Sequence, residues 1–499
     1  MLGYPEHHEY TKEVKAGQLL GPHWVVGTRW VDGPMPNDPG SEAGAHIMVG
    51  SEAEGRQAVI AAQEYGADFI EVGGAENLSR DAFFGIADEA KKRGIPFEGH
   101  VPFSVTIEEA SNAGMRDIDP TNSVLDVGIL AAFSSREADL LKSWEEGVTK
   151  AFVSDQPDAW DALEEGPGFR VPTQLALQTY DQKKADALFA LLKANHTWMC
   201  PTLIAERNVA FFKDPSVADD PRFKYLSPGE RSWFNEELSK TRSPEDSAVW
   251  KEFYQKYFEL VGAMRRAGVE LLAGTTTEEP QFTVPGFGLH DELVLLVQAG
   301  LTPLEALQTA TLNPARFLRR ERDFGSVASG KSADLVLLDA NPLDDIGNTR
   351  KIAAVVYRGN LYSRASLDAM LAKVEALANR MSIGDLLEKT IKEKGVVAAI
   401  RQYRELKGTK ADSYDFDDKY ELAALGTHLL DAKKFKEAIQ IDELNAEEFP
   451  RSWWCYNSLG KAYMGAGEKE LAIKNYKKSL LLDPTNQYAA LKLKQLNSQ

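Results

Sequence analysis

The stretch LLAGTTTEEP, Leu271 to Pro280, has the pattern of a strand that ends at a pocket. An apolar pair leads into Ala273-Gly274, and three threonines and two carboxylates follow. A short apolar run that ends in small and polar residues is typical of a buried strand whose carboxyl end borders a binding site. The stretch therefore predicts a strand that presents three pocket residues to a ligand: Thr276, Thr277 and Glu278.

Five further strand candidates precede this one between residues 21 and 318. They are HWVVGTRWV, DFIEVGG, PFEGHVP, RDIDPT and WMCPTLIA. Amphipathic stretches such as AEGRQAVIAAQEYGA lie between several of them and predict helices, because their apolar residues recur at three-to-four spacing. Alternating strands and helices predict an α/β fold with parallel strands and helical crossovers. Six strands are only part of a closed eight-stranded barrel, so we expect a (β/α) barrel that lacks its first strands.

The alternation of predicted strands and helices ends after residue 318. GSVASGKSADLVLLDANP and KIAAVVYRGNLYS contain β-forming residues and Gly and Pro turns, and they predict a small β-sandwich segment over residues 319–364. A helical pattern follows, and the charged, turn-rich KGTKADSYDFDD is typical of a linker. The sequence therefore divides into a barrel over residues 1–318, the β segment, a helical connector and linker over 365–416, and a last domain over 417–499.

The last domain repeats itself with a period of 34 residues. Leu425-Gly426 recurs as Leu459-Gly460, for example. A 34-residue helix-turn-helix period with small residues at the helix crossings is the tetratricopeptide signature. The second copy matches it well, whereas the first has Asp442 where the second has the aromatic Tyr476. The domain is predicted to be all-α, and to serve either as a packing appendage or as a groove for a protein partner.

Bulk properties narrow the classes of function. Lys and Arg number 57 against 75 Asp and Glu, and this net charge of −18 disfavours nucleic acid or an anionic membrane as a partner. Cys200 and Cys455 lie in different segments, so no disulfide framework or thiolate metal cluster is expected. The start MLGYPEHHEY has no leader pattern, and no run of about 18 apolar residues occurs. We therefore expect a cytoplasmic chain, exported only if an upstream segment has been removed.

Three phrases carry a resemblance to a known family. PGFGLHDELVLLVQAGLTPLEALQTATLNPARFL and GSVASGKSADLVLLDANPLDDI, together with GHVP, resemble amidohydrolase-superfamily enzymes. The resemblance is to imidazolonepropionase-like and Xaa-Pro or Xaa-Arg dipeptidase-like members, some of which carry tetratricopeptide tails. It implies hydrolysis of carbon–nitrogen bonds by one or two divalent metals at the carboxyl mouth of the barrel, where the metal activates a bound water.

The resemblance also implies a set of metal ligands, most of which this sequence lacks. The family has a His-x-His pair on its first strand, but no two of the eight histidines here are separated by one residue. Glu71 stands at the position of the carbamylated lysine of strand four, and His100 keeps the histidine of strand five. Pro120 replaces the histidine of strand six, and Thr276 replaces the aspartate of strand eight. His100 is therefore the one ligand that is unchanged.

The remaining groups favour acid–base chemistry over metal chemistry. Zinc prefers nitrogen, sulfur or carboxylate ligands, which a proline and a threonine do not supply. We expect no metal cofactor, and zinc held by His100 and Glu71 is the alternative. Glu71, His100 and Asp119 are the candidate catalytic residues, because a carboxylate near an imidazole raises its pKa and makes a workable acid–base pair at neutral pH.

Two classes of function remain open on the sequence. One is an amidohydrolase-like protein whose metal centre is largely lost, which acts as a pseudoenzyme that binds a ligand or as a metal-independent enzyme. The other is a metal-dependent hydrolase of amide or dipeptide bonds whose missing ligands come from another polypeptide. The expected partners are a small molecule or peptide at the barrel mouth, a protein on the tetratricopeptide tail, and a second copy or another chain that covers the open strand edges.

Overall fold

The structure is a computed structural model that describes residues 3–34, 46–73, 78–119, 126–152, 166–277 and 282–498. The chain forms two compact units. The sheet unit comprises Trp30–Asn37 and Val49–Val374, and the tail unit comprises Met1–Arg29, Asp38–Met48 and Glu375–Gln499. Most of the predicted helical connector therefore packs with the tail, and so does the segment that precedes the first strand.

Parallel strands form the centre of the sheet unit. The neighbouring strands are, in order, β1 (Trp30–Asp32), β3 (Ile70–Val72), β4 (Phe97–Gly99), β5 (Asp117–Ile118) and β6 (Trp198–Met199), while β2 (His46–Met48) belongs to the tail unit. Leu271 adds a sixth parallel position, because main-chain hydrogen bonds of 3.0 and 2.9 Å join Met199 to Glu270 and Leu272. The six strand candidates are confirmed in their order and parallel orientation.

Helices follow the strands of the sheet unit. The side chains of Ser51, Ser79 and Thr106 accept hydrogen bonds from the first turns of α2 (Glu52–Tyr65), α3 (Arg80–Arg93) and α4 (Ile107–Ala113), and so cap them. Each of these three helices ends at a glycine in the left-handed conformation, which glycine adopts without strain. The other described helices of the unit are α5 (Asp126–Ala132), α6 (Glu137–Phe152), α7 (Pro167–Gln178), α8 (Gln182–Asn195), α9 (Leu203–Ala210), α10 (Pro215–Ala218), α11 (Pro228–Ser239), α12 (Pro244–Ala267), α13 (Gly288–Gln298), α14 (Pro303–Thr309) and α15 (Leu312–Phe317).

The predicted β segment after residue 318 forms one three-stranded antiparallel sheet, whereas a β-sandwich would consist of two sheets. It consists of β7 (Leu335–Leu338), β8 (Ile352–Tyr357) and β9 (Asn360–Ser363), with β8 in the centre. Val336 on β7 is 58% exposed and Leu361 on β9 is 70% exposed, so apolar side chains of both edge strands face solvent. Cover of this sheet by another chain stays a prediction. The helix α16 (Arg364–Ala378) follows directly.

The tail unit is built mainly of helices. They are α1 (Pro5–Lys15), α17 (Ile383–Lys394), α18 (Val396–Thr409), α19 (Lys419–Asp431), α20 (Phe435–Glu448), α21 (Trp453–Gly465), α22 (Lys469–Leu482) and α23 (Gln487–Ser498). The helices α19, α21 and α23 begin at residues 419, 453 and 487, so the 34-residue period of the sequence is the spacing of equivalent helices. Among the described helices of either unit, none is both long and apolar enough to cross a membrane.

The predicted linker is part of the core of the tail unit. The strand β10 (Met381–Ser382) pairs in parallel with β11 (Tyr414–Asp415), which lies inside that segment. Phe416 is buried beside Tyr403 of α18, with ring centroids 5.1 Å apart, and both join the core of the first repeat. The aromatic residues of KGTKADSYDFDD therefore decide its structure, although its charges predict a spacer.

Candidate functional site

The candidate site lies at the carboxyl ends of the parallel strands, here called the mouth. Glu71 of β3 is in register with Glu98 of β4, and Gly99 of β4 is in register with Ile118 of β5. His100 and Asp119 each follow one residue later, so they lie side by side just beyond the ends of β4 and β5. A Cβ on Gly99 would come within 2.8 Å of Glu71 Oε1, so this glycine leaves room for the carboxylate.

His100 is buried, and its imidazole is held by neighbouring groups. Its ring hydrogen-bonds to the main chain of Asp119, and the carboxylate of Asp32, the last residue of β1, acts on it electrostatically. Burial lowers the pKa of His100 to about 4, and the charge of Asp32 and the bond to Asp119 offset this only in part. The imidazole is therefore neutral at neutral pH, and the mouth does not contain the elevated histidine pKa that the sequence predicts.

Two further carboxyl groups, Glu98 and Asp117, lie within β4 and β5, two residues before His100 and Asp119. Burial raises the pKa of Glu98 to about 7, with a smaller contribution from the charge of Asp119 against the opposing effect of Arg116. Burial, followed by the charges of Glu98 and Asp119, raises the pKa of Asp117 well above its usual range. Glu98 Oε2 and Asp117 Oδ1 are buried and accept no hydrogen bond from the described residues. Both groups therefore hold protons at a pH where carboxyl groups are normally ionised.

Sequence reasoning missed these two carboxylates, although a signal for them was present. Glu98 precedes His100 by two residues, and Asp117 precedes Asp119 by two residues. Side chains two positions apart on a strand point to the same face. Once His100 and Asp119 were placed at a strand end, the same alternation would have placed Glu98 and Asp117 on their face of the sheet.

A cavity of about 30 Å³ lies beside His100 and Asp119. Phe103 and Ile107 from the segment after β4 and Ile129 from α5 also line it. A volume of this size holds about one water molecule. His100 and Asp119 are thus brought together around space for a water, as an acid–base pair would require.

Two of the three predicted pocket residues after the last strand lie among the described residues. Thr276 lies just beyond the sixth strand position with φ 43°, a left-handed conformation that is uncommon for a β-branched residue. Thr277 is exposed and follows it, and Glu278 lies outside the described residues. Pro120, which the sequence places at a ligand position, also lies outside them. The strained backbone at Thr276 is consistent with a functional position.

The donor set at the mouth does not fit the metal centre that the resemblance implies. Within the described ranges, no three side chains of His, Cys, Asp or Glu are grouped so that they could hold a metal ion. The ring of His100 is already engaged by the main chain of Asp119, and Thr276 offers a hydroxyl where zinc needs nitrogen, sulfur or a carboxylate. The residues present therefore provide one imidazole and several carboxylates without a common point of coordination.

Two segments of the chain match models of known families. Residues 276–362 match the amidohydrolase family, and residues 453–486 match the tetratricopeptide repeat. Residues 276–362 are thus similar to the amidohydrolase family, and the tail contains a tetratricopeptide repeat. The amidohydrolase match begins at Thr276, so it includes the β segment and excludes the strand ends that carry Glu71, His100 and Asp119.

Curated relatives align with this chain over short stretches. The adenine deaminase 2 of Jannaschia sp. (strain CCS1) is 40% identical over 88 residues, which are 17% of this chain and 14% of that protein. The imidazolonepropionase of Geobacillus sp. (strain WCH70) is 49% identical over 43 residues, which are 9% of this chain and 10% of that protein. The aligned part is thus a small fraction of either relative's length.

A solved structure resembles a larger part of this chain. The structure of bottromycin amidohydrolase superposes with a TM-score of 0.55 at 22% identity, and covers 76% of this chain and 73% of that chain. At this level of identity the similarity concerns the fold alone.

Proposed function

We propose that this amidohydrolase-like protein has lost metal-dependent hydrolysis and uses its mouth to bind a small molecule or peptide. The observation that carries the proposal is the donor set: His100 is neutral, buried and bonded to the main chain, and Thr276 stands where the family has an aspartate. Zinc catalysis requires fixed ligands and an activated water, and the described residues supply no convergent set of ligands.

The chemistry of the mouth indicates the kind of ligand. Neutral carboxyl groups donate one hydrogen bond and accept others, whereas ionised ones only accept. With a pKa of about 7, Glu98 is present in both forms near neutral pH. A ligand with amide or amine groups supplies both the donors and the acceptors that Glu98 and Asp117 can use. Such a ligand fits a binding protein derived from an enzyme of carbon–nitrogen bonds.

A second candidate function is metal-independent acid–base catalysis at the same mouth. It is favoured by the pKa of Glu98, since a general acid or base works best when its pKa is near the operating pH. Glu98 would exchange the proton, and the neutral imidazole of His100 would orient a water in the adjacent cavity. Glu71 and Asp119 would set the local charge. The catalytic role predicted for Glu71, His100 and Asp119 would thus pass in part to Glu98.

The rival is a metal-dependent hydrolase whose missing ligands come from another chain. The names of the aligned relatives, an adenine deaminase and an imidazolonepropionase, support a reaction at a carbon–nitrogen bond. The tetratricopeptide tail is a motif of protein interaction and would provide a surface for such a chain. No nucleic acid or membrane partner is proposed.

The test is an activity assay of the purified chain on a panel of amides, dipeptides and cyclic amidines. Each substrate is assayed with added zinc and with a chelator, for the unchanged chain and for His100→Ala and Glu98→Gln. The leading proposal predicts no turnover that zinc stimulates. Turnover that survives the chelator and is lost in Glu98→Gln would support the second candidate. Turnover that requires zinc, in the chain alone or mixed with a lysate fraction, would contradict both.

A further inference from the structure

A large cavity lies at the opposite end of the sheet from the mouth, and we refer to it as the base cavity. Its volume is about 790 Å³. Phe97 and Trp198, the first residues of β4 and β6, contribute to its apolar floor, and Arg116 immediately precedes β5. The base cavity therefore opens at the amino ends of the same strands whose carboxyl ends form the mouth.

Cationic side chains dominate the lining of the base cavity. Its charged and titratable residues are Lys91, His196, Arg116, Arg316, Arg319 and Glu270. Glu270 Oε2 lies 3.2 Å from His196 Nδ1, so the one carboxylate of the lining is engaged by the imidazole. Within the part of the chain that the structure describes, none of the three guanidinium groups and not Lys91 forms a salt bridge. This excess of positive charge occurs in a chain whose net charge is −18.

The arginines are held in position by the fold. Arg116 is half-buried, and its guanidinium carbon lies 4.3 Å from the ring centroid of Phe317. Its main-chain N–H donates to Phe97 and its carbonyl accepts from Trp198, so neighbouring strands fix its backbone. Arg319 has φ 55°, a left-handed conformation that costs about 1 kcal/mol or more for residues other than glycine. A glycine would avoid this strain, and the arginine places a cation at the cavity instead.

Helix ends account for only part of this charge. The helices α3, α4 and α8 end at Gly94, Gly114 and His196, which line the base cavity. Each C-terminus carries about half a negative charge, so the three together offset roughly one and a half of the four fixed cations. The carboxylate of Glu270 offsets one more, and Glu98 acts on Arg116 from the sheet and offsets part of another. A positive surplus remains around the cavity.

We propose that the base cavity binds a small organic phosphate. Guanidinium groups match phosphate oxygens with paired hydrogen bonds, and the apolar floor at Phe97, Met115 and Trp198 can contact the organic part. A volume of this order fits a ligand of nucleotide size. Because Arg116 of the base cavity and Asp119 of the mouth lie at opposite ends of β5, such a ligand would bind without entering the mouth.

Calorimetric titration of the full chain with pyrophosphate, AMP and citrate tests the proposal. We expect pyrophosphate and AMP to bind at micromolar to millimolar concentration and citrate to bind more weakly. Arg316→Gln and Arg319→Gln should each weaken phosphate binding by about tenfold, the effect of losing a charge-assisted hydrogen bond. Both positions are exposed, so the variants should fold.

The matched control is Arg320→Gln. Arg320 neighbours Arg319 but lies outside the cavity lining and pairs with Asp323 at 2.9 Å, so phosphate affinity should not change. The proposal is overturned if no phosphate binds at millimolar concentration, if citrate binds as tightly as pyrophosphate, or if the control loses as much affinity as the two cavity variants. Each of these results would mean that the cavity does not recognise a phosphate group.

Discussion

The two units of the molecule bury charge in opposite ways. In the tail unit, Arg29 and Asp483 are almost fully buried and form a salt bridge of 3.1 Å, and Thr485 and the ring of Trp453 also contact the guanidinium group. In the sheet unit, a buried oxygen of Glu98 and one of Asp117 accept no hydrogen bond from the described residues, and the pKa of Glu98 rises to about 7. The ion pair neutralises its own charges, whereas Glu98 and Asp117 keep their protons at a pH where carboxyl groups are normally ionised.

The two arrangements differ in what they contribute to the stability of the fold. A buried, well-bonded ion pair is costly to break, although it adds little to stability compared with apolar packing. Carboxyl groups that are buried without a donor cost stability and contribute nothing to folding. Glu98 and Asp117 lie on the face of His100 and Asp119, within strands that end at the mouth, where α/β proteins bind ligands, and this position gives them a functional explanation instead.

Breaking the tail pair should have the largest effect. Arg29→Met leaves Asp483 buried without its cation, and we expect the free energy of unfolding to fall by about 3 kcal/mol. Denaturant unfolding followed by circular dichroism measures the loss. Arg364→Met is the matched control, because Arg364 forms an exposed pair with Asp368 on one helix and should change stability by less than about 0.5 kcal/mol. Equal losses of unfolding free energy in the two variants would show that the buried pair contributes no more than the exposed pair.

Removing the buried, protonated carboxyl group of Glu98 should have the next largest effect on stability, and the sign of that effect should depend on pH. The pKa of Glu98 is raised by folding, so stability is greatest below the unfolded pKa of about 4.5 and falls as pH rises towards 7. Glu98→Gln should abolish that fall and gain on the order of 2 kcal/mol at pH 8 relative to the unchanged chain. Unfolding titrations from pH 4 to 8, about the range of both pKa values, measure it.

Glu109 provides a control of opposite sign. Its carboxylate bonds to Arg80, which together with the cap at Thr106 lowers the pKa of Glu109 to about 2. Its contribution to stability is present above the unfolded pKa and is lost as pH falls towards 2, so Glu109→Gln should lower stability at neutral pH. A stability profile of Glu98→Gln with the same slope as the unchanged chain would show that Glu98 is ionised normally.

Asp442 of the tail unit departs from this pattern, and replacing it should give a smaller effect. Asp442 is 1% exposed, its two carboxylate oxygens accept no hydrogen bond from described residues, and burial raises its pKa well above its usual range. Asp442→Asn removes the titration and should stabilise the chain by about 1 kcal/mol at pH 8. Thermal unfolding measures the change, with the exposed Asp412→Asn as a control that should be neutral. A destabilised Asp442→Asn would show that the carboxylate has a bonding role.

The sequence predicted these features unequally. Local patterns, such as the strand before Thr276 and the 34-residue repeat that sets the starts of α19, α21 and α23, follow from periodicity and were confirmed. The pairing of Arg29 with Asp483 joins positions 454 residues apart and has no local signal. The sequence prediction did not include Glu98 and Asp117, because neither residue occupies a ligand position of the family. Their pKa values are set by burial, and burial depends on packing that the sequence does not state.

Restoring the family aspartate at Thr276 should have the smallest effect, and this effect is measured on hydrolytic activity. Thr276→Asp places a carboxylate at the position of the family aspartate, but His100 remains the one histidine among the predicted ligand positions. We expect no zinc-dependent hydrolysis above the background of the unchanged chain, since at least three fixed ligands are needed. Thr276→Asn, which adds an amide of similar size, is the control. Strong zinc-dependent turnover in Thr276→Asp alone would mean that the other ligands are present.

The central claim, that the mouth does not hold a catalytic metal, is tested most directly by the metal content of the purified chain. The chain is expressed with zinc, manganese or iron added to the medium, purified without chelator, and analysed by elemental mass spectrometry beside His100→Ala. The account predicts well under one metal ion per chain, with no difference between the two proteins. One or two tightly held ions per chain that are lost in His100→Ala would contradict it.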